Sequence, residues 1–80
     1  MKTKTTTRPE IGSKTPRGGA VIIARSLIDA GGWAVVLAVK LDGEYVTWNE
    51  SAEAEYQSGE YYREFGDAAA SFTLRAKGGR

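Results

Sequence analysis

The residues best suited to chemistry lie in an acidic stretch where tyrosines alternate with glutamates. Residues 42–67 hold eight acids and one base, a net charge of −7, and they include all four tyrosines of the chain. Tyrosine offers a large, rigid contact area at low entropic cost, and an acidic surrounding steers basic partners. These properties predict a protein-binding face with the following members: Tyr45, Glu50, Glu53, Glu55, Tyr56 and Glu60. The alternative is a solvated acidic surface with some of the tyrosines, Tyr61 or Tyr62 among them, in the core.

Catalysis would have to come from carboxylates, because the chain has no histidine and no cysteine. That composition excludes disulfides, thiol chemistry, zinc fingers and histidine-dependent triads. Glu53 and Glu55 share one side of an extended segment and resemble a carboxylate pair. A domain this small leaves little room for a pocket that would raise a carboxyl pKa. We therefore predict no enzymatic activity, no cofactor and no metal.

The two ends of the chain are basic. Residues 1–41 carry a net charge of +5 and residues 68–80 a net charge of +3. Residues 1–19 are rich in threonine and poor in apolar side chains, so we predict a disordered arm. Such an arm supports an alternative function, nucleic-acid binding through the basic arm and termini. Neither a signal peptide nor a membrane span is expected, and the predicted location is the cytoplasm.

The clearest structural element is a β-hairpin around Asp42 and Gly43. Residues 33–41 alternate between two faces and contain β-branched side chains, the pattern of a half-buried strand, and residues 44–49 form the returning strand. Asp-Gly favours a two-residue type I′ turn. That turn would pair residue 39 with residue 46, and it would place Leu37 and Trp48 opposite each other on one face.

The remaining elements complete a small α+β domain over residues 20–77, with a frayed tail at 78–80. Residues 55–63 read as a strand in which Gly59 marks either a bulge or, with Ser58, a second turn. A helix is predicted to start with Asp67 as its N-cap, and its stripe toward the sheet contains Phe65, Ala69, Phe72 and Ala76. Residues 20–28 favour a strand, which gives an antiparallel meander of three to four strands with one C-terminal helix on one face. If they form a helix instead, the order αβββα resembles a double-stranded-RNA-binding domain.

One resemblance comes from the aromatic and turn residues of segments 32–36, 42–48 and 59–62, followed by the alanine-rich helix with Phe72 and Arg75. This pattern resembles small orphan accessory proteins carried by phages and plasmids of high-GC bacteria. The resemblance implies a mobile-element protein that acts on a host factor, and it transfers no site residues. We therefore predict a non-catalytic module that binds, and inhibits or modulates, a host protein with a basic surface. A homodimer through an exposed sheet edge is a further expectation.

Overall fold

The chain forms an antiparallel sheet with one helix, described by a computed structural model over residues 8–16 and 18–77. The four strands lie in the sheet in the order in which they occur in the chain. In sequence order the elements are β1 (Val21–Arg25), β2 (Ala34–Val39), β3 (Tyr45–Glu50), β4 (Tyr56–Tyr62) and α1 (Phe65–Ala76). This confirms the predicted α+β class, the meander and the C-terminal helix. The strand at β1 excludes the αβββα order.

The hairpin between β2 and β3 is present, but its predicted register is wrong by one residue. The backbone N–H of Gly43 donates to the carbonyl of Lys40 (2.9 Å), and that of Lys40 donates to the carbonyl of Glu44 (2.8 Å). Gly43 has a φ of 90°, the left-handed residue that closes a three-residue loop after a type I turn. The extra loop residue pairs Val36 with Trp48 and moves Trp48 to the face opposite Leu37.

Each face of the sheet therefore carries its own small core. On one face α1 covers β2, β3 and β4, and the buried residues beneath it include Val35, Leu37 and Thr47. The other face holds a cluster of buried aliphatic side chains, against which Trp48 and Tyr56 pack while partly exposed. The members of this cluster are Ala20, Ile22, Val36, Ala38 and Val46. Because both faces are buried, β2 reads as an almost continuous apolar run.

The helix is present but is rotated relative to the prediction. It begins after Glu64, and Asp67 lies in the first turn rather than at the N-cap. The fully buried side of α1 carries Ala68 and Arg75, whereas Phe65 of the predicted stripe is 51% exposed. The guanidinium of Arg75 binds the sheet, and this sets the rotation. Within the described residues, no helix is long and apolar enough to cross a membrane.

Residues 8–16 form a segment, called the strap here, that runs beside β1. The N–H of Gly12 donates to the carbonyl of Ile22 (2.7 Å), and the N–H of Ile22 donates to the carbonyl of Ser13 (3.0 Å). These residues belong to the predicted arm, and the structure shows that their backbone groups find partners on β1. Residues 1–7 and 17 of the predicted arm, and residues 78–80 of the predicted tail, lie outside the described residues.

Candidate functional site

The structure does not gather the six predicted binding residues on one surface. Tyr45 and Glu60 lie on the side of the sheet that carries α1, whereas Glu50 and Tyr56 lie on the side of the strap. Glu53 and Glu55 are exposed in the loop between β3 and β4. Glu50, Glu55 and Tyr56 lie close together, and of the three only Glu55 is exposed.

Glu50 is sealed inside the protein, with no exposed surface. Its two carboxylate oxygens accept hydrogen bonds from Arg25, at 2.7 Å from Nε and 2.9 Å from a terminal nitrogen. Nε of Arg8 lies 2.9 Å from the same carboxylate, an ion-pair contact, and the Tyr56 hydroxyl donates to it at 2.8 Å. Arg8 and Arg25 also donate to backbone carbonyls of Gly32 and of the strap. A buried carboxylate needs this many partners, so Glu50 fastens the strap and cannot touch another protein.

Tyr56 is held in place from its hydroxyl end. Burial and the hydrogen bond to Glu50, in that order of importance, raise the pKa of Tyr56 well above its ordinary value of 10.0. The phenol therefore stays neutral at physiological pH, and its hydroxyl is occupied by Glu50. The ring remains partly exposed, 5.1 Å from the ring of Trp48 between centroids and tilted by 50°. What Tyr56 offers to a ligand is thus its ring, fixed at an angle to the indole.

These two rings form part of the floor of an open groove of about 490 Å³. Its other lining residues are Pro16, Ala54 and Glu55. The strap, through Pro16, and the β3–β4 loop therefore both contribute to it. We call it the aromatic groove.

The loop that carries Glu55 is rigid because Ser51 holds it together. The Ser51 hydroxyl accepts hydrogen bonds from the N–H groups of Glu53 (3.2 Å) and Glu55 (3.0 Å). The Ser51 N–H donates to the carbonyl of Glu55, and its carbonyl accepts from Ala54, which takes a φ of 62°. The Glu55 carboxylate is thus anchored at its backbone and free at its charged end.

Gly59 determines how Trp48 lies in the groove. Strand β4 has a register irregularity opposite Trp48, where Ser58 takes a φ of 59°, so the predicted bulge is confirmed. A Cβ atom on Gly59 would lie 2.8 Å from the Trp48 Nε1, closer than real contacts allow. The indole therefore lies directly against the Gly59 backbone, and any side chain there would displace it.

Tyr45 and Glu60 form a separate polar patch beside α1. The ring of Tyr45 meets that of Phe65 edge-on at 5.4 Å. Glu60 accepts hydrogen bonds from the hydroxyls of Tyr62 (3.0 Å) and Ser71 (3.1 Å), and these bonds lower the pKa of its carboxyl. Because both side chains are engaged within the domain, this patch is a weaker candidate than the aromatic groove.

The chain gives no match to protein-family models, to curated proteins or to solved structures. Within residues 8–16 and 18–77, no cluster of three or more acids forms that could hold a metal ion. The aromatic groove is therefore the candidate site on its own geometry. Sequence reasoning missed Trp48, which it placed opposite Leu37 on one face of the hairpin, and Pro16, which it placed in the arm. No local signal marks either residue, because the strap and β3 meet only in the folded protein.

Proposed function

We propose that the protein is a non-catalytic binding module that holds a short segment of a partner protein by an arginine or lysine side chain. The supporting observation is the aromatic groove, where the rings of Trp48 and Tyr56 lie beside the exposed carboxylate of Glu55. The face of an aromatic ring attracts a cation, and a neighbouring carboxylate pairs with the same charge. The groove offers both within one concave surface.

The domain already contains one cation held in this way. Nζ of Lys40 lies 5.0 Å from the ring centroid of Tyr61 and donates a hydrogen bond to Glu44 at 3.1 Å. The bond to Glu44 is the largest of the effects that raise the pKa of Lys40. A partner's ammonium or guanidinium in the aromatic groove would meet the same pair of groups, a ring and a carboxylate.

The partner we propose is a host protein with a basic surface, met in the cytoplasm. The net charge of −7 over residues 42–67 would steer such a surface toward the groove. A segment held there would be covered, so the module would inhibit or modulate the host protein by occupancy. This role fits a mobile-element accessory protein, the setting that the sequence resemblance implies.

Nucleic acid is the alternative partner, and the groove argues against it. An aromatic floor can stack on bases, but the Glu55 carboxylate and the acidic stretch around it would repel phosphates. Lys2 and Lys4, which would favour nucleic acid, lie outside the described residues. Nucleic-acid binding therefore enters the experiment as a competing outcome.

A homodimer through the sheet is the other alternative. Among the described residues β4 pairs with β3 alone, so its outer edge has no strand beside it. The left-handed Ser58 interrupts that edge, and such irregularities are a common protection against edge pairing. We therefore favour a groove ligand over a second copy of the chain.

The test is a peptide titration followed by amide NMR of the whole protein. One probe is a short alanine peptide with a single central arginine, and the other has glutamate in place of the arginine. We expect only the arginine peptide to shift the backbone signals of Ala54 and Glu55 and the indole signal of Trp48. Glu55→Gln should weaken binding by about fivefold, the loss of about 1 kcal/mol expected for a partly exposed charge pair.

The matched control is Glu53→Gln, which alters an exposed carboxylate of the same loop that does not line the groove. We expect this variant to bind as the wild type does. Equal weakening of binding by both variants would mean that the peptide is attracted by the general negative charge. That result would contradict a specific site at the aromatic groove. Shifts of the same signals by a short oligothymidine, with none by the arginine peptide, would move the function to nucleic acid.

A further inference from the structure

An unused hydrogen-bond donor lies at the aromatic groove. The Trp48 Nε1–H makes no hydrogen bond within the described residues, although buried tryptophans usually satisfy this group. Among the described residues, the only sealed side-chain nitrogen or oxygen without a hydrogen bond is Nε of Arg8, which is in an ion pair with Glu50, so the Trp48 N–H is not closed off. A ligand in the groove can therefore accept a hydrogen bond from it.

A second polar group lies near the Trp48 Nε1, beside the residues that line the groove. The Tyr61 hydroxyl would lie 3.1 Å from a Cβ atom on Gly59, and Trp48 Nε1 would lie 2.8 Å from that same point. Tyr61 is 51% exposed, and its hydroxyl has no hydrogen-bond partner among the described residues. Two groups that make no hydrogen bond within the described residues thus lie near one glycine, beside the pair of rings formed by Tyr56 and Trp48.

From these observations we infer that the segment held by the groove is a polyproline II helix with an arginine or lysine beside its prolines. The inference rests on the proposed function, since it names the conformation of the same ligand. A polyproline II chain leaves all its backbone carbonyls free, and these accept from N–H and O–H donors such as those of Trp48 and Tyr61. Its proline rings pack on aromatic side chains, and its fixed conformation loses little entropy on binding.

The other common peptide conformations use these groups less well. An α-helix bonds its carbonyls internally, so the Trp48 N–H would stay without an acceptor. An added β-strand needs a free strand edge, whereas the floor of the groove contains side chains on a face of the sheet. Glu55 then pairs with the basic residue next to the prolines, as in the proposed function.

The experiment compares three peptides of equal length on the full chain. The first is proline-rich with one arginine, the second has alanine in place of each proline, and the third keeps the prolines but has glutamine in place of the arginine. We expect the first to bind about tenfold more tightly than either of the others. We also expect it to move the Trp48 indole N–H signal downfield, the mark of a new hydrogen bond.

The outcomes separate the two proposals. Equal binding of the first and second peptides leaves the proposed function standing and overturns the polyproline II ligand. Equal binding of the first and third removes the need for a cation, which contradicts the proposed function and the combined ligand together. Absence of binding by all three contradicts both proposals.

Gly59→Ala provides an independent check, because its Cβ would displace the indole. We expect this variant to lose the preference for proline over alanine while it keeps the weaker binding of the second peptide. Gly66→Ala is the control, since a Cβ there meets nothing within 4 Å. If Gly59→Ala fails to fold, the indole signal of the wild-type protein still decides the question: an unmoved signal on saturation with the first peptide overturns the inference.

Discussion

Each face of the sheet is covered by a segment that arginine side chains attach to it, but the carboxylates that these arginines meet differ in their exposure to water. On one face the strap is fastened by Arg8 and Arg25 to Glu50, which has no exposed surface. On the other face the helix is fastened by Arg75, which donates to Thr47 and lies 3.9 Å from a Glu60 side chain that is 56% exposed. Both arginine clusters reach buried groups, Glu50 on one face and Thr47 on the other, but only on the strap side is the charged partner itself sealed from water. The difference teaches that an arginine should hold a segment more firmly where its carboxylate partner is buried than where it is exposed.

Removal of the buried Glu50 carboxylate should have the largest effect on stability. Glu50→Ala leaves two arginines near the core without their counter-ion and removes the acceptor of the Tyr56 hydroxyl. We expect a loss of about 3–5 kcal/mol in the free energy of unfolding, measured by urea denaturation. Glu53→Ala, which removes an exposed carboxylate nearby, should change it by no more than about 0.5 kcal/mol. Similar midpoints for the two variants would mean that burial of Glu50 does not matter.

Loss of Arg75, which attaches the helix to the sheet, should lower the free energy of unfolding by less than loss of Glu50 does. The Arg75 guanidinium donates to the Thr47 hydroxyl at 2.7 Å and to Asn49 at 2.9 Å, so Arg75→Ala leaves buried polar groups without partners. We expect a loss of about 2 kcal/mol and faster amide exchange along α1. Lys77→Ala removes an exposed charge at the same helix end and serves as the control. An unchanged exchange rate in Arg75→Ala would show that α1 is held by its apolar contacts alone.

The smallest effect concerns Glu60 and depends on pH. Hydrogen bonds from Tyr62 and Ser71, followed by the charge of Arg75, lower the pKa of the folded carboxyl below 4.5. The folded state therefore favours the ionised form, and this contribution is complete above the ordinary pKa and is lost as the pH falls through the folded value. We expect Glu60→Gln to lower the melting temperature slightly at neutral pH and to converge with the wild type in acid. A constant difference across the pH range would contradict this role.

The sequence was sufficient to predict the order of the elements, because that order depends on local patterns. Each of these patterns involves only a few neighbouring residues. They are the alternation over residues 33–41, the bulge near Gly59 and the alanine-rich helix. The register of the hairpin was not predictable in the same way. Asp42-Gly43 suits a two-residue turn and also a three-residue loop with Gly43 in the left-handed region, and the choice reverses which face receives Trp48.

The candidate site was largely beyond sequence reasoning. Glu50 was predicted to lie on the binding face, and only the approach of Arg8 and Arg25 in the folded chain makes its burial tolerable. The aromatic groove combines Pro16 with the β3–β4 loop, two segments that are far apart in sequence. Of the six residues predicted to bind a partner, Glu55 and Tyr56 line that groove. Charge and aromatic content thus indicated the part of the chain that contributes to the site, but not which of its side chains share one surface.

The contact between Arg8 and Glu50 has a consequence for the order of events during synthesis. A ribosome releases the chain from its amino end, so the strap emerges well before the carboxylate that will hold it. Until β3 has formed, Arg8 has no buried counter-ion and remains better solvated in water. The strap, which is made before the sheet, is therefore among the last segments to be fixed. Because the strap supplies Pro16, the nascent protein completes its binding groove only after most of the sheet has been built.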